Sequence, residues 1–148
     1  VPVDFIFFDL PGTVNTPGIL KALAGMHHIF TPIVADRVVM ESTLIFTQLM
    51  KDVIMKKGET SIETINLFWN QVDGRERSPL YDVYNKLIDE LGLSLMQCQI
   101  MNSTRFRKES ESGAKTVFRS TLMPPDERLM KACQLDLFID EFLKIIQL

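Results

Sequence analysis

Cysteine, clustered glycine, long apolar runs and net charge are all scarce in this sequence. The two cysteines, Cys98 and Cys133, lack the paired spacing of a metal site and are too few for a disulfide framework, which favours a reducing, cytoplasmic setting. The seven glycines are scattered, and no Gly-Lys-Ser or Gly-Lys-Thr occurs. No apolar run is long enough to predict a membrane span or a signal peptide. The formal charge of -3 provides no global attraction for nucleic acid, so any basic site must be local.

What is present predicts one α/β domain over residues 1–148. A hydrophobic fraction of 46% is enough for a packed core in a chain of 148 residues. Predicted strands cover residues 3–9, 28–34, 64–72 and 94–101. Predicted helices cover residues 18–24, 37–57 and 79–91, a short stretch after Pro124-Pro125-Asp126, and residues 136–147. Because strands alternate with helices, the pattern predicts a parallel sheet of about four strands with flanking helices.

Polar residues follow the predicted strands at the edge where α/β sheets bind ligands. Asp9, Asp36, Asn70 and Asn102 each come at or just after the carboxyl end of a strand. An Asn side chain presents a donor and an acceptor together, which suits a purine edge, although Asn also satisfies turns locally. Trp69, beside Asn70, is predicted to pack against a helix.

Asp9 ends the apolar stretch DFIFFD and is followed at once by Leu10-Pro11-Gly12. A carboxylate in this position can hold a Mg²⁺ shell or orient an attacking water in a phosphate-transferring enzyme. The alternative is that Asp9 caps the turn into the next element, with Gly12 supplying an unusual backbone angle.

Several segments together resemble a known family. DFIFFDLPG resembles the second acidic motif (Walker B) of ParA-type and MinD-type partition ATPases, and HIFTPIVADRVVMEST resembles the segment after it. The resemblance continues through FWNQVDGRE, NSTRFRKE and TVFRSTLMPPDERLMKA, and it is closest to the ParA-like proteins of bacterial conjugative transposons. It implies a partial P-loop NTPase fold of the Rossmann-like three-layer kind. It also implies that Asp9 serves Mg²⁺ and water, that Asn70 contacts adenine, and that Asn102 and Ser103 approach the base or ribose.

The sequence departs from this family at the phosphate loop. The family holds its phosphates with a glycine-rich loop that carries lysine and Ser/Thr, and no such segment occurs here. We therefore expect the chain to be the carboxyl-terminal part of a longer ATPase. The full-length parent is expected to bind Mg-ATP, while this chain alone is expected to bind no cofactor and to be catalytically inactive.

A local basic cluster, Arg105, Arg107 and Lys108, raises the question of DNA binding. By resemblance, the nucleotide-bound homodimer of the parent would contact DNA non-specifically through such residues, in company with partner partition or transfer proteins. The alternative is a solvated loop whose Glu109 and Glu111 balance part of the charge.

Two other interpretations stay open. Asp9-Leu10-Pro11-Gly12 fits the DxxG switch of GTPases, and Asn70-Gln71-Val72-Asp73 resembles their guanine-reading NKxD motif with glutamine in place of lysine. In that case Asp73 would accept hydrogen bonds from guanine. The second interpretation is a non-catalytic protein-interaction module of the same fold.

Overall fold

The computed structural model describes residues 4–10, 17–55, 60–75, 79–106 and 126–147. In these ranges the chain is an α/β structure with a three-stranded parallel sheet. The helices are α1 (Pro17–Ala24), α2 (Arg37–Leu49), α3 (Leu80–Glu90), α4 (Glu127–Ala132) and α5 (Leu135–Ile145). The strands are β1 (His28–Ile33), β2 (Thr64–Trp69) and β3 (Ser94–Leu95). A π-helical segment, Met50–Met55, continues α2, and a 3₁₀ turn spans Thr104–Phe106.

The sheet has the order β1-β2-β3 and both pairings are parallel. β1 and β2 pair from His28 opposite Thr64 to Ile33 opposite Trp69. β3 pairs with the middle of β2 over two residues, and an isolated parallel bridge joins Val72 to Met101 beyond it. The predicted parallel sheet is thus confirmed at residues 28–33, 64–69 and 94–95, but it has three strands in the described part of the chain.

The strand predicted at residues 3–9 is wrong as far as the structure describes it. Residues 4–10 form neither strand nor helix, and Ile6 and Phe7 are 71% and 76% exposed. An apolar run becomes a strand only where a neighbouring strand accepts its backbone hydrogen bonds. β1 is an edge strand, and no described strand pairs with its outer edge. The composition of this run indicated burial, but the partner that would bury it is not in the described ranges.

Helices cover both faces of the sheet. The larger core cluster packs α2 and α3 on one face, through Ile33, Met40, Leu44, Leu67, Trp69, Val72, Tyr84 and Ile88. Successive strand residues point to opposite faces, so Phe30 and Phe68 face the other way. On that face α5 supplies two aromatic contacts. The ring of Phe142 is centred 4.6 Å from that of Phe30, and the ring of Phe138 is centred 4.8 Å from that of Phe68.

The helix ends follow local sequence signals. Asp36 begins α2, and its Oδ1 accepts a hydrogen bond from the Val39 N–H at 3.0 Å. Gly92 ends α3 with φ of 61°, a left-handed conformation that favours glycine. The Leu93 N–H then donates to the Ile88 carbonyl, which closes the helix. The predicted helix 37–57 is α-helical only to Leu49, and Gly12 lies outside the described residues.

Candidate functional site

Asn70 and Asn102 lie on neighbouring chain segments beyond the carboxyl ends of the strands, and Ser103 follows Asn102. The Asn70 N–H donates to the Ile33 carbonyl at 2.7 Å, and so Asn70 directly extends the β1–β2 pairing. The Asn102 N–H donates to the Val72 carbonyl at 2.8 Å. These bonds place the predicted base-contacting residues on neighbouring chain segments at one edge of the sheet.

The Asn70 side chain also shapes the local turn. Its Oδ1 accepts a hydrogen bond from the Gln71 N–H at 2.9 Å, and Gln71 has a left-handed φ of 57°. No described residue accepts a hydrogen bond from the Asn70 amide nitrogen. The turn role therefore uses the oxygen and leaves the two N–H donors for another acceptor.

Trp69 lies next to this turn and is held by α3. Its indole N–H donates to Asn85 Oδ1 at 2.9 Å, and its ring meets Tyr81 edge-on at 4.7 Å. The predicted packing of Trp69 against a helix is confirmed. Asn85 was not singled out from the sequence, because an exposed Asn within a helix carries no local signal of such a partner.

The Arg105 guanidinium forms an ion pair with the carboxylate of Asp126. Its Nη2 donates to Asp126 Oδ2 at 2.8 Å, while Asp126 Oδ1 accepts the Leu129 N–H and begins α4. The hydrogen bond from Arg105 and those from the backbone lower the pKa of Asp126 to about 2. Arg105 thus joins the loop after Asn102 to α4. Arg107 and Lys108 lie outside the described residues.

Asp73 is likewise engaged. Its carboxylate accepts three hydrogen bonds from Arg75, one from the backbone N–H and two from the guanidinium. The guanidinium bond first, and the backbone bond second, hold the pKa of Asp73 below its usual range. This contact satisfies Asp73 as a turn residue. Guanine recognition by Asp73 would require the exposed pair with Arg75 to open.

Asp9 lies in a different environment from the carboxyl-edge residues. It lines a cleft of about 1440 Å³ between residues 4–10 and β1, and Asn70, Asn102 and Ser103 do not line that cleft. The next residue, Leu10, packs against a smaller core cluster that includes Ile29 and Ile62, near the amino ends of β1 and β2. The structure therefore does not bring Asp9 together with Asn70.

The donor groups near Asp9 in the described residues are too few for a magnesium site. Mg²⁺ in nucleotide sites uses one or two carboxylates together with phosphate oxygens. Within the described ranges no three His, Cys, Asp or Glu residues are grouped as a metal would require. Asp9 alone does not make a magnesium site, and its proposed role depends on phosphates that another segment would have to hold.

The carboxyl-edge residues by themselves fit a neutral, hydrogen-bonding ligand group such as a base or ribose. They offer amide donors and acceptors and the hydroxyl of Ser103, whose oxygen already accepts a hydrogen bond from the Arg105 N–H at 3.3 Å. None of the described helices is long and apolar enough to cross a bilayer. No protein-family model, curated protein or solved structure matches the chain. The chemistry of the site therefore has to be argued from its own geometry.

Proposed function

We propose that the chain is the carboxyl-terminal part of a ParA-like, Mg-ATP-dependent ATPase that acts in DNA partition or conjugative transfer in the cytoplasm. The observation that carries the proposal is that Asn70 and Asn102 lie on neighbouring chain segments at the carboxyl edge of a parallel sheet, with Ser103 next in the chain. Ligands of open α/β sheets bind at this edge. In the parent, Asn70 would read adenine, and Asn102 and Ser103 would approach the base or ribose.

Phosphate and magnesium chemistry would come from the rest of the parent. For Asp9 to join the Mg²⁺ and water network, residues 4–10 would have to pair as a strand in the parent and bring Asp9 to the carboxyl edge, beside a phosphate-holding loop. This chain alone is expected neither to bind Mg-ATP tightly nor to hydrolyse it. Calorimetric titration of the 148-residue chain tests this, and micromolar binding of Mg-ATP would contradict it.

The two roles of Asn70 can be separated by substitution in a protein extended upstream by its native sequence. Asn70→Asp keeps the oxygen that accepts the Gln71 N–H but removes the amide donors. We expect Asn70→Asp to retain the stability of the wild-type protein and to lose about tenfold or more in ATP affinity. The affinity falls because the acceptor group of the ligand loses the amide donor with which it would pair. Asn70→Ala should lose both stability and affinity.

The outcomes discriminate between the alternatives. ATP affinity that is unchanged by Asn70→Asp would remove Asn70 from the nucleotide site. Tighter binding of GTP than of ATP by the wild-type protein would favour the GTPase interpretation, in which Asp73 leaves Arg75 for guanine.

DNA binding by the parent is proposed to use Arg107 and Lys108 more than Arg105, because Arg105 already pairs with Asp126. Reversing the charges of Arg107 and Lys108 in the ATP-bound parent homodimer should weaken DNA binding and reduce its salt dependence. Arg105→Ala is the matched comparison, and it should disturb α4 more than DNA affinity. An unchanged salt dependence in the double variant would exclude the cluster as a DNA site.

A non-catalytic interaction module is the second candidate. It is favoured by the cleft beside β1, which exposes a strand edge and apolar rings in the described part of the chain. Such surfaces are typical of binding sites for other polypeptides.

A further inference from the structure

Asp73 and Arg75 form a forked ion pair in the turn that follows Asn70. The Arg75 Nε–H donates to Asp73 Oδ1 at 3.2 Å, and the Arg75 Nη2 donates to Asp73 Oδ2 at 3.1 Å. The backbone N–H of Arg75 adds a hydrogen bond to Oδ1 at 3.0 Å. The guanidinium therefore engages both oxygens of the carboxylate through two neighbouring donors.

The backbone places this pair next to the chain segment that carries Asn102. The Val72 N–H donates to the Ile100 carbonyl at 3.0 Å, and the Asn102 N–H donates to the Val72 carbonyl at 2.8 Å. Asp73 follows Val72 directly, and it lies on the same short segment as Asn70, which extends the β1–β2 pairing. A carboxylate is thus fixed at the carboxyl edge of the sheet, close in the chain to the residues proposed to contact the base.

A carboxylate at such an edge discriminates between purine bases. Guanine presents two adjacent donors on its Watson–Crick edge, N1–H and the N2 amino group, and an ionised carboxylate accepts from both at once. Adenine presents an N6 amino donor beside the lone pair of N1, which would meet a carboxylate oxygen with no proton between them. An unpaired Asp73 would therefore favour guanine over adenine.

The Arg75 guanidinium presents to Asp73 the same kind of donor pattern that guanine would present. A guanidinium is a planar fork whose N–H donors match the two oxygens of a carboxylate. Arg75 and guanine would thus compete for the same two acceptor oxygens. While Arg75 is in place, the charge of Asp73 is balanced and both of its oxygens are engaged.

The exposure of the pair sets the size of the effect. The side chain of Arg75 is 92% exposed and that of Asp73 is 38% exposed. Water competes for both partners of an exposed ion pair, so opening it changes an equilibrium constant by at most about fivefold. Arg75 is therefore expected to bias the choice of base and not to abolish guanine binding.

We propose that Arg75 sets base selectivity at the carboxyl edge by occupying the Asp73 carboxylate, so that the site selects adenine over guanine. The inference rests on the proposed function, since it requires a purine nucleotide at this edge. It goes further because it assigns the selectivity to Arg75, a residue that acts through Asp73 and does not itself contact the base.

The experiment measures the dissociation constants of Mg-ATP and Mg-GTP by calorimetric titration of the protein extended upstream by its native sequence. Arg75→Ala keeps the backbone N–H that bonds to Asp73 but removes the guanidinium. It should raise GTP affinity about two- to fivefold without raising ATP affinity. Arg75→Lys keeps the charge but not the fork, and its GTP affinity should rise less. Mg-ITP is the ligand control, because hypoxanthine keeps N1–H but lacks the N2 amino group, and its gain should be smaller.

Two further variants connect the change in selectivity to the Asp73 carboxylate. Combining Asp73→Asn with Arg75→Ala removes the charge and one acceptor, and it should cancel the gain in GTP affinity. Arg37→Ala is the matched control, since Arg37 is 82% exposed and pairs with Glu41 on α2. This control removes the same charge from another exposed ion pair and should leave the ratio of GTP to ATP affinity unchanged.

The results separate this inference from the proposed function. Binding of neither nucleotide by the extended wild-type protein would overturn both. Tight ATP binding, with the same ratio of GTP to ATP affinity in Arg75→Ala and Arg37→Ala, would overturn the inference alone and leave Arg75 as a turn contact. A gain in GTP affinity that persists in the double variant would also overturn the inference, because the gain would not come from Asp73.

Discussion

Glu141 fastens α5 to the chain segment that follows β3. Its two carboxylate oxygens accept hydrogen bonds from the N–H groups of Gln97 and Cys98 at 2.8 and 2.7 Å. Burial by itself raises the pKa of Glu141, but the hydrogen bonds from the Cys98 thiol and from the two N–H groups outweigh it, and the net pKa lies below its ordinary value. Removing this carboxylate therefore tests whether α5 is held by a specific contact or only by its apolar side.

The expected cost follows from the two hydrogen bonds. Bonds to a charged group contribute about 1.5–3 kcal/mol each when they are buried. Gln97 is exposed and Cys98 is half-buried, so water can replace part of what is lost. We therefore expect Glu141→Ala to lower the free energy of unfolding by about 2 kcal/mol in total. Glu141→Gln retains one acceptor oxygen and should cost about 1 kcal/mol.

Urea unfolding monitored by circular dichroism measures these changes through the midpoint and slope. Asp140→Ala is the matched control, since it removes a neighbouring acid of α5 that is exposed to solvent. The pH dependence has a defined sign. Because the pKa of Glu141 is lowered by folding, its contribution is fully present above the unfolded value of about 4.3 and is lost as the pH falls through the folded value.

The gap between the wild-type protein and Glu141→Ala should thus be largest near neutral pH and should close in acid. The reasoning would be refuted if Glu141→Ala and Asp140→Ala had the same stability at pH 7. It would also fail if the gap did not narrow as the pH is lowered from neutral into acid, because protonation removes the anion that accepts both bonds.

The remaining predictions concern a thiol, a glycine and the core. Burial first, and the Glu141 hydrogen bond second, raise the pKa of the Cys98 thiol to about 11. Alkylation of Cys98 by iodoacetamide, measured by peptide mass spectrometry, should therefore be slow at pH 8 and should still accelerate above pH 9. An alkylation rate that levels off near pH 9 would contradict this. Gly92→Ala should destabilise the protein by roughly 1–2 kcal/mol, because the φ of Gly92 is +61°. Gly18→Ala lies in the open first turn of α1 and should stabilise the protein by about 0.5–1 kcal/mol. Equal urea midpoints for the two variants would contradict this prediction. Leu67→Ala, at a fully buried position of β2, should cost about 2–5 kcal/mol, against less than about 0.5 kcal/mol for Ile45→Ala on the exposed side of α2.

Local signals in the sequence were enough to predict most helices and the two longer strands. α3 illustrates this, because its apolar stripe and the glycine after it both act within a few residues of the helix they define. The start of α2 differs, because the sequence suggested Asp36 as a residue of the ligand-binding edge, whereas its side chain accepts an N–H three residues later and begins the helix. Short-range hydrogen bonds can be read from spacing because both partners lie in one stretch of chain.

Contacts between distant segments were not predictable in the same way. Glu141 meets Gln97 and Cys98 across more than forty residues, and Trp69 finds Asn85 on the following helix. Arg105 shows the consequence for function, since a cationic residue that suggested DNA binding is paired with Asp126. Which polar groups are free for a ligand depends on these long-range partners, and composition does not reveal them.

Residues 4–10 show the same limit at the level of the sheet. Their apolar side chains predict a buried strand, and both helical layers that would cover such a strand are in place on either side of the cleft. The pattern therefore identified the environment for which these residues are suited, but a strand also needs a neighbour that supplies backbone partners. The open edge of β1 and the exposed rings of residues 4–10 have the same cause, because no described strand pairs with either of them. A single added strand would supply backbone partners to β1 and would cover the rings.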